Sequence, residues 1–332
     1  MPSTINLTNA THLFEFYAVI IVSTIGFITN LMNIHVSSKI QKTSMGLYNI
    51  LLSICNIIGI FFVNILNFFP QSIGEKELIL TSDLACKLIP YFTRVFPQLN
   101  AWLNIMISFD RLILMSYGNL NAYKNRSPHL KERKRIIQIA LGLFLLICVL
   151  NLPSFLFQLK SLTQIDKVTN QTTISFQCAS TPLIMLIRDL IPIIFRNVLP
   201  LIIQLAISAM LILKLSKLKI NVNTLSLKRE HKFTFTIVIL NLIFIITDIM
   251  FIICLILLNI YGYNQTFIST TSNESAIISF VYLCILFAVF DLLFVVNLLT
   301  NRKFLKEARK IYWFKNTKVN SNENNNSDKN SI

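Results

Sequence analysis

An acid and a base stand side by side in the apolar stretch "WLNIMISFDRLILMSYGN", as Asp110 and Arg111. Such a pair can hold the guanidinium in an ion pair and release it when neighbouring elements rearrange. The alternative is that both side chains simply reach water at the edge of a membrane. The choice between a charge switch and two simple surface charges therefore depends on where the pair lies along its helix.

Further ionisable side chains interrupt other apolar stretches. They are Arg94, Arg196, Asp248 and Asp291. Charges in such surroundings are functional candidates because an apolar medium disfavours them. The chain contains no Gly-rich phosphate loop and no His, Cys and Asp spacing typical of a metal site, and its four His residues are scattered. We therefore expect neither an enzyme nor a cofactor.

The composition identifies the medium in which these charges lie. Of the 332 residues, 54% are hydrophobic and 14% are charged, and the formal net charge is +15. A soluble domain carries about 25% charged residues. A basic excess alone suits nucleic acid or an anionic membrane surface. The apolar content favours the lipid bilayer and argues against a nucleic-acid partner.

Seven apolar stretches are long enough to cross a bilayer as helices, which takes about 20 residues each. Their approximate ranges are 14–39, 47–69, 88–116, 135–157, 191–215, 233–260 and 276–299. The third is the most polar and the last contains Asp291, so a reading with six spans would lose one of these two. The sequence thus predicts an all-α membrane protein, a bundle of seven transmembrane helices.

The basic residues predict the orientation of this bundle. All but seven of the 30 Lys and Arg residues fall at or beyond one face if the N-terminus is outside. This asymmetry follows the positive-inside rule. The predicted parts are an extracellular segment 1–13, a transmembrane domain 14–299, an amphipathic helix 300–314 and a disordered cytoplasmic tail 315–332.

The amphipathic helix is predicted from apolar residues that recur every three or four positions, beginning with Phe304, Leu305 and Ala308. Basic residues cover its other side, so we expect it to lie on the inner membrane surface.

Glycosylation acceptors give an independent check on the orientation. Five Asn-x-Ser/Thr triplets fall on predicted outer segments, beginning at Asn6, Asn9, Asn170, Asn264 and Asn273. Such triplets also arise by chance, so they support the orientation without deciding it.

Two of the six cysteines differ from the others. Cys86 lies at the outer start of the third span, and Cys178 lies in the long outer segment before the fifth. The outer side is oxidising, which favours a disulfide between them; two free thiols are the alternative. The other four lie within predicted spans and are expected to be buried as small apolar residues.

The distance from Cys86 places the charged pair. Arg111 follows Cys86 by 25 residues, which is about 37 Å of helix. The hydrocarbon core is about 30 Å thick. If Cys86 is at the outer mouth, Asp110 and Arg111 lie at the inner mouth, where we expect both charges to reach water.

At this point the chain resembles a known family. "SFDRLILM" at the inner end of the third span resembles the Asp-Arg-Tyr region of rhodopsin-like G-protein-coupled receptors. "GFITNLMNI", with Asn30, resembles the Gly-Asn pattern of their helix one, and "LLSICNIIG" resembles the Leu-Ala-x-x-Asp segment of helix two. Pro153 and Pro200 resemble the prolines of helices four and five, and "NRKFLKEARK" resembles the short eighth helix. The likeness covers residues 14–314. Within this family the sequence resembles invertebrate neuropeptide receptors.

Several positions depart from the family pattern. Leu112 stands in place of the Tyr that follows Asp-Arg, and Asn56 stands where a sodium-binding Asp is usual. The helix-four Trp and the helix-five Tyr are replaced by Leu143 and Ser208. The helix-six and helix-seven motifs are replaced by "FIITDIM" and "LFVVN". The resemblance therefore implies a divergent receptor with altered activation switches.

The resemblance assigns roles to the residues. Arg94, Gln98, Arg196 and Asp248 would line an outward-opening ligand cavity, where two bases favour an acidic or carboxylate-bearing ligand. The alternative is that Arg196 and Asp248 neutralise each other as a structural pair. Asp110 and Arg111 would control coupling to a heterotrimeric G protein. An inner polar network would join Asn30, Asn56, Asp291 and Asn297, with Asp291 supplying the acid that helix two lacks.

The implied ligand class is narrowed by what the sequence omits. No acid lies between Cys86 and Phe109, which argues against an amine transmitter, and no Lys lies in 276–299, which argues against a retinal Schiff base. An extracellular peptide is therefore the leading ligand class. The protein is expected at the plasma membrane. A channel or transporter, or a seven-span protein that binds without signalling, are the alternatives.

Overall fold

The computed structural model describes residues 3–40, 44–68, 80–116, 129–165, 172–218, 234–250, 252–253, 297–298 and 302–312. This part of the chain is mostly helical. Its first four helices are α1 (Ser3–Lys39), α2 (Ser44–Ile60), α3 (Asp83–Ser116) and α4 (His129–Leu150). Helix α2 continues as a π-helix over Phe61–Phe68, and α4 is followed by a 3-10 turn over Leu152–Leu156.

The later helices are α5, α6 and an amphipathic helix. Helix α5 has two α-helical parts, Pro182–Pro192 and Leu199–Leu218, joined by the π-helical turn Ile193–Val198. Helix α6 covers Thr234–Met250, and the amphipathic helix covers Arg302–Tyr312.

Four helical segments are long and apolar enough to cross a membrane: Phe16–Lys39, Gly46–Asn67, Arg133–Leu156 and Pro182–Ser216. Helix α6 is a shorter apolar helix within the described residues. These segments mark the chain as a membrane-associated protein. The seventh predicted span, 276–299, lies outside the described residues except for 297–298.

Helix α1 begins at Ser3, so most of the predicted outer segment 1–13 belongs to this helix. Two sequence expectations need correction. Helix α5 begins at Pro182 rather than near 191, because Thr181 caps it by accepting a hydrogen bond from the Ile184 amide. The fold is also not all-α, since the segment between α4 and α5 forms a β-hairpin.

The hairpin pairs β1 (Gln158–Ile165) with β2 (Thr172–Ala179) in antiparallel register. Leu159 stands opposite Cys178. The Leu159 amide donates to Asp83 Oδ1 at 3.2 Å, so it points away from β2 and ties the hairpin to the start of α3. The hairpin is therefore attached to the outer end of the helix bundle.

Helix α3 is the central element of the described bundle. It packs against α2, α4 and α5, and half of its 34 residues are buried. The main apolar core lies around it and includes Val95, Leu99 and Leu103 with Leu211 and Ile237 from α5 and α6. A helix covered on so many sides can carry polar side chains, which explains why α3 is the most polar of the predicted spans.

The π-turn of α5 follows from Pro200. The Leu199 amide donates to the Ile194 carbonyl, five residues back. In that register the next carbonyl, Phe195, would bond the amide of residue 200, but proline has none. The Phe195 carbonyl is satisfied instead by the indole Nε1–H of Trp102 on α3, at 2.9 Å. A local backbone defect thus becomes a link between two helices.

The amphipathic helix packs its apolar side on α1. Phe304 and Ala308 are buried in a small cluster with Val36 and Ile40. On its other side Lys306, Arg309 and Lys310 are exposed. The periodicity seen in the sequence therefore corresponds to one covered face and one basic face.

Candidate functional site

The outer end of α3 is joined covalently to the hairpin. Cys86 and Cys178, the predicted pair, form a disulfide with their Cα atoms 5.7 Å apart. Cys86 is fully buried, whereas Asp83 nearby is exposed. A hydrogen bond from Lys87 at 2.5 Å, with a second from the Leu159 amide, lowers the pKa of Asp83 below its ordinary value.

Gln98, expected to line the ligand cavity, bonds to a neighbouring helix. Its side chain is fully buried, and its Oε1 accepts a hydrogen bond of 2.8 Å from Asn151 Nδ2. Within the described residues its Nε2 has no hydrogen-bond partner. Asn151 also bonds the Ile147 carbonyl at 2.9 Å, at the point where α4 ends. Gln98 therefore fastens α3 to the outer end of α4, and its role in ligand binding stays a prediction.

Arg94 lies one turn outward from Gln98 and is half-buried. Its guanidinium Nη1 donates to the Pro90 carbonyl on the same helix at 3.4 Å. Arg94 is thus partly exposed, whereas Gln98 is fully buried.

Arg196 and Asp248 stand close enough for their charges to attract. Asp248 on α6 is buried, and Arg196 in the π-turn of α5 is half-buried. The positive charge of Arg196 acts on the Asp248 carboxylate. Within the described residues Asp248 Oδ2 has no hydrogen-bond partner. Asp248 therefore keeps one carboxylate oxygen available to another group, and its pairing with Arg196 stays a prediction.

A chain of amide side chains runs from α1 to α3. Asn30 Nδ2 donates to the Gly26 carbonyl at 2.8 Å, and Asn56 Nδ2 donates to Asn30 Oδ1 at 3.1 Å. Asn100 Nδ2 donates in turn to Asn56 Oδ1, and Asn104 Nδ2 donates to Asn100 Oδ1 at 2.8 Å. Asn30 and Asn56, predicted to belong to one polar network, are thus directly bonded.

The polar contacts continue from α3 to α5 and α6. Ser108, one turn beyond Asn104, donates to Asn241 Oδ1 at 2.9 Å, and Gln204 Nε2 donates to the same oxygen at 2.7 Å. Asn241 Nδ2 donates to Ser208 Oγ at 3.0 Å. Asn241 therefore joins three helices through one amide group.

The polar residues that α3 contributes to this network were not predicted from the sequence, although their spacing gave a signal. Asn100, Asn104 and Ser108 recur every four residues, so they lie on one face of α3. A polar stripe on a helix that crosses a membrane is expected to face other helices. The partners Asn241 and Gln204 carried no such pattern.

The predicted inner network also included Asn297 and Asp291. Asn297 is fully buried, and within the described part of the chain its Nδ2 and Oδ1 have no hydrogen-bond partner. Asp291 lies outside the described residues.

The charged pair at the inner end of α3 is present as an ion pair. Arg111 Nη2 lies 3.2 Å from Asp110 Oδ2. The Arg111 side chain is only 8% exposed and that of Asp110 is 19% exposed. The expectation that both charges reach water is therefore wrong for Arg111. Helices packed around α3 cover its guanidinium, which a single-helix view could not anticipate.

One further contact joins α3 and α5 near this pair. Lys214 Nζ on α5 donates to Ser116 Oγ, which itself donates to the Leu112 carbonyl at 2.6 Å. The inner ends of the two helices are therefore linked one turn beyond Arg111.

The predicted glycosylation acceptors fall into two groups. Asn6 and Asn9 fall in the first turns of α1, where only the backbone is described. Asn170, Asn264 and Asn273 lie outside the described residues. Across the described ranges, no three His, Cys, Asp or Glu side chains are grouped to hold a metal ion.

Comparison with known proteins gives no family. No protein-family model matches the chain, and no characterised protein matches it significantly. The site must therefore be interpreted from its own geometry.

Proposed function

We propose that this protein is a plasma-membrane receptor of the rhodopsin-like G-protein-coupled type. It would have seven transmembrane helices, with its N-terminus outside. The observation that carries the proposal is the organisation of α3. Its outer start holds Cys86 in a disulfide, and its inner end holds Arg111 in a covered ion pair with Asp110. One uninterrupted helix, Asp83–Ser116, joins the two.

The ion pair supplies the proposed switch. In the resting state Asp110 holds Arg111 against its own helix. An outward shift of α5 or α6 relative to α3 would uncover the guanidinium, which then contacts a heterotrimeric G protein. The buried contacts from Ser108 to Asn241 and Gln204 would transmit such a shift, because α3, α5 and α6 meet there.

The proposed ligand is an extracellular peptide with an acidic group. Arg94 and Arg196 are half-buried in the outer halves of their helices and place two positive charges there. A carboxylate would bind a guanidinium through charge-assisted hydrogen bonds. Asp248 would help to hold Arg196 in position through their mutual attraction.

A peptide-library screen in cells, with calcium and cAMP readouts, tests the proposal. The informative variant is Arg111→Ala, and the matched control is Arg135→Ala, an exposed base at the inner end of α4. We expect a peptide response that Arg111→Ala abolishes and Arg135→Ala retains, at equal surface expression. Asp110→Asn should raise basal signalling. A peptide response unaffected by Arg111→Ala would contradict the proposed mechanism.

The channel or transporter alternative needs a polar path across the bundle. Amide hydrogen bonds join Asn104 to Asn100 and Asn100 to Asn56, which satisfies polar groups that such a path would expose. Ligand-independent ion flux in a purified, reconstituted preparation would favour this alternative over the receptor.

A further inference from the structure

The inner ends of α3 and α5 meet in a contact that the proposed signalling mechanism does not use. Lys214 Nζ of α5 donates to Ser116 Oγ, and Ser116 is the last residue of α3. Leu211 and Leu215, which flank Lys214 on α5, are buried in the same core as Leu112 of α3. The lysine is therefore held at the junction of the two helices.

The hydroxyl of Ser116 is oriented to accept a hydrogen bond. Its proton is donated to the Leu112 carbonyl, 2.6 Å away on the same helix. The lone pairs of its oxygen remain for a neighbouring donor, and an ammonium group carries three donors and no acceptor. The two groups are therefore complementary, since Ser116 accepts where Lys214 can only donate.

The end of α3 also attracts a positive charge. The last four carbonyl groups of an α-helix have no partner within the helix, and they give its C-terminus a partial negative charge. The last turn of α3 contains no basic residue of its own. Lys214 brings a cation to this position from α5, so attraction to the helix dipole adds to the hydrogen bond.

The position of this contact relates it to the charged pair of α3. The pair of Arg111 with Asp110 lies within α3, so it does not tie α3 to another helix. The bond from Lys214 to Ser116 does tie α3 to α5, and it lies inward of Arg111. Because Ser116 is exposed, this bond competes with water and holds only moderately. An outward shift of α5 would break it.

From these features we propose that Lys214 is a positioning residue of the receptor switch. It caps the end of α3 from α5 and holds the inner ends of the two helices together in the resting state, which keeps Arg111 covered. This inference rests on the proposed function, because it assigns a residue that controls the same switch. Activation then requires Lys214 to leave Ser116.

Ligand-independent signalling of the full chain in cells tests the role of Lys214. Lys214→Met removes the ammonium and should raise basal signalling about fivefold, the ratio given by a contact worth about 1 kcal/mol. Ser116→Ala should give a similar rise, and the double variant should add little, because both changes remove the same bond. Lys214→Arg keeps the charge and should retain the resting level. Ser116→Asp replaces the neutral acceptor by a carboxylate and should lower basal signalling.

Two matched controls isolate the contact between the helices. Ser216→Ala removes an exposed serine near the end of α5, whose hydroxyl donates to the Leu213 carbonyl of its own helix. Lys134→Met removes an exposed lysine at the inner end of α4. Neither change should alter basal signalling. Surface expression and thermal unfolding verify that each variant is folded.

A measurement without a G protein separates this inference from the proposed function. Hydrogen exchange of the purified chain in nanodiscs, read by mass spectrometry, follows the amides in the last turns of α3 and α5. At constant pH, Lys214→Met should speed their exchange several-fold and leave the amides around Cys86 unchanged. Faster exchange without signalling from any variant would support the contact and contradict the receptor proposal.

Three outcomes would overturn the role of Lys214. The first is exchange that Lys214→Met leaves unchanged. The second is a chain that signals but whose basal level neither Lys214→Met nor Ser116→Ala raises. The third is a rise in basal signalling that Ser216→Ala reproduces.

Discussion

The outer end of α3 is held by a covalent bond to the β-hairpin, whereas its inner end carries an ion pair between two adjacent residues of the same helix. Around the outer half, neutral hydrogen bonds add to the covalent one. Gln98 joins α3 to α4, and Trp102 joins it to α5. At the inner end the Asp110–Arg111 pair is internal to α3 and does not by itself fix α3 to a neighbour.

This difference indicates which half of the bundle can rearrange. A disulfide and buried neutral hydrogen bonds hold one geometry, because breaking either leaves a severed link or an unsatisfied group. An intrahelical ion pair can exchange its partner while the helix stays intact. We therefore expect the end of α3 beyond Ser108, where Lys214 and Ser116 make an exposed cross-helix contact, to rearrange more readily than the rest of the helix.

The largest effect should come from breaking the outer link. Cys86→Ala should lower the free energy of unfolding by about 2–5 kcal/mol, because the disulfide closes a long loop. Cys178→Ala should do the same, and the double variant should lose no more than either single one. Thermal unfolding of the purified protein measures this. The control Cys148→Ala removes a free thiol on α4 and should cost much less. Equal losses of stability in all three single variants would contradict a stabilising role of the disulfide at the outer end of α3.

The next effect concerns the buried amide where the two halves meet. Asn241→Leu leaves the Gln204 amide without its acceptor, and it leaves the Ser108 hydroxyl with the Asn104 carbonyl alone. We expect a loss of about 1–3 kcal/mol, the usual consequence of an unsatisfied buried polar group.

Asn104→Leu is the matched comparison for Asn241→Leu. The Asn104 side chain donates to one amide, Asn100, and is half-buried. Chemical denaturation of both variants in the same detergent gives the two losses. A larger loss for Asn104→Leu would show that the junction lies elsewhere in the network.

A smaller, more diagnostic effect links Trp102 to Pro200. Trp102→Phe removes the indole N–H that satisfies the Phe195 carbonyl. In a Pro200→Ala background the new amide at 200 can bond that carbonyl in the π-register, so Trp102→Phe should cost less there. A double-mutant cycle should give a coupling of about 1 kcal/mol. Strict additivity would show that Trp102 does not replace a bond lost at Pro200.

The smallest effect concerns pH at the hairpin attachment. The pKa of Asp83 is lowered from 3.8 by Lys87 and the Leu159 amide. Because the folded pKa lies below the unfolded one, the carboxylate stabilises the attachment at neutral pH. This contribution is lost as the pH falls below 3.8 through the folded value. The protection factor of the Leu159 amide, which compares its exchange rate with the intrinsic rate at the same pH, should therefore fall in acid, and Asp83→Asn should remove that dependence. An identical acid response in Asp83→Asn would assign it to another group.

Comparison of the two halves also shows where sequence reasoning succeeds. The axial separation of Cys86 and Arg111 follows from the fixed rise of an α-helix, and the structure places both on one helix. The disulfide partners could be predicted because only two cysteines were expected on the outer side. The amphipathic helix could be predicted because its apolar residues recur with helical period.

The same reasoning failed wherever a partner had to be chosen. Gln98 follows Arg94 by one turn, yet its Oε1 bonds Asn151 of α4, a partner that spacing along α3 could not predict. The hairpin was missed because strand pairing depends on two segments meeting, although β-branched residues at Thr172, Thr173 and Ile174 gave a weak signal. The early start of α5 depended on the capping of its first turn by Thr181.

The sequence by itself determined the membrane character of the chain and the axial separation of Cys86 and Arg111 along α3. Hydropathy and helical rise are properties of neighbours along the chain, so they can be read without a partner. Only the tertiary structure decided that Arg111 is covered, that Asn241 joins three helices, and that Lys214 reaches the end of α3. These features depend on how each helix is rotated about its axis and packed against the others, and that rotation results from the bundle as a whole.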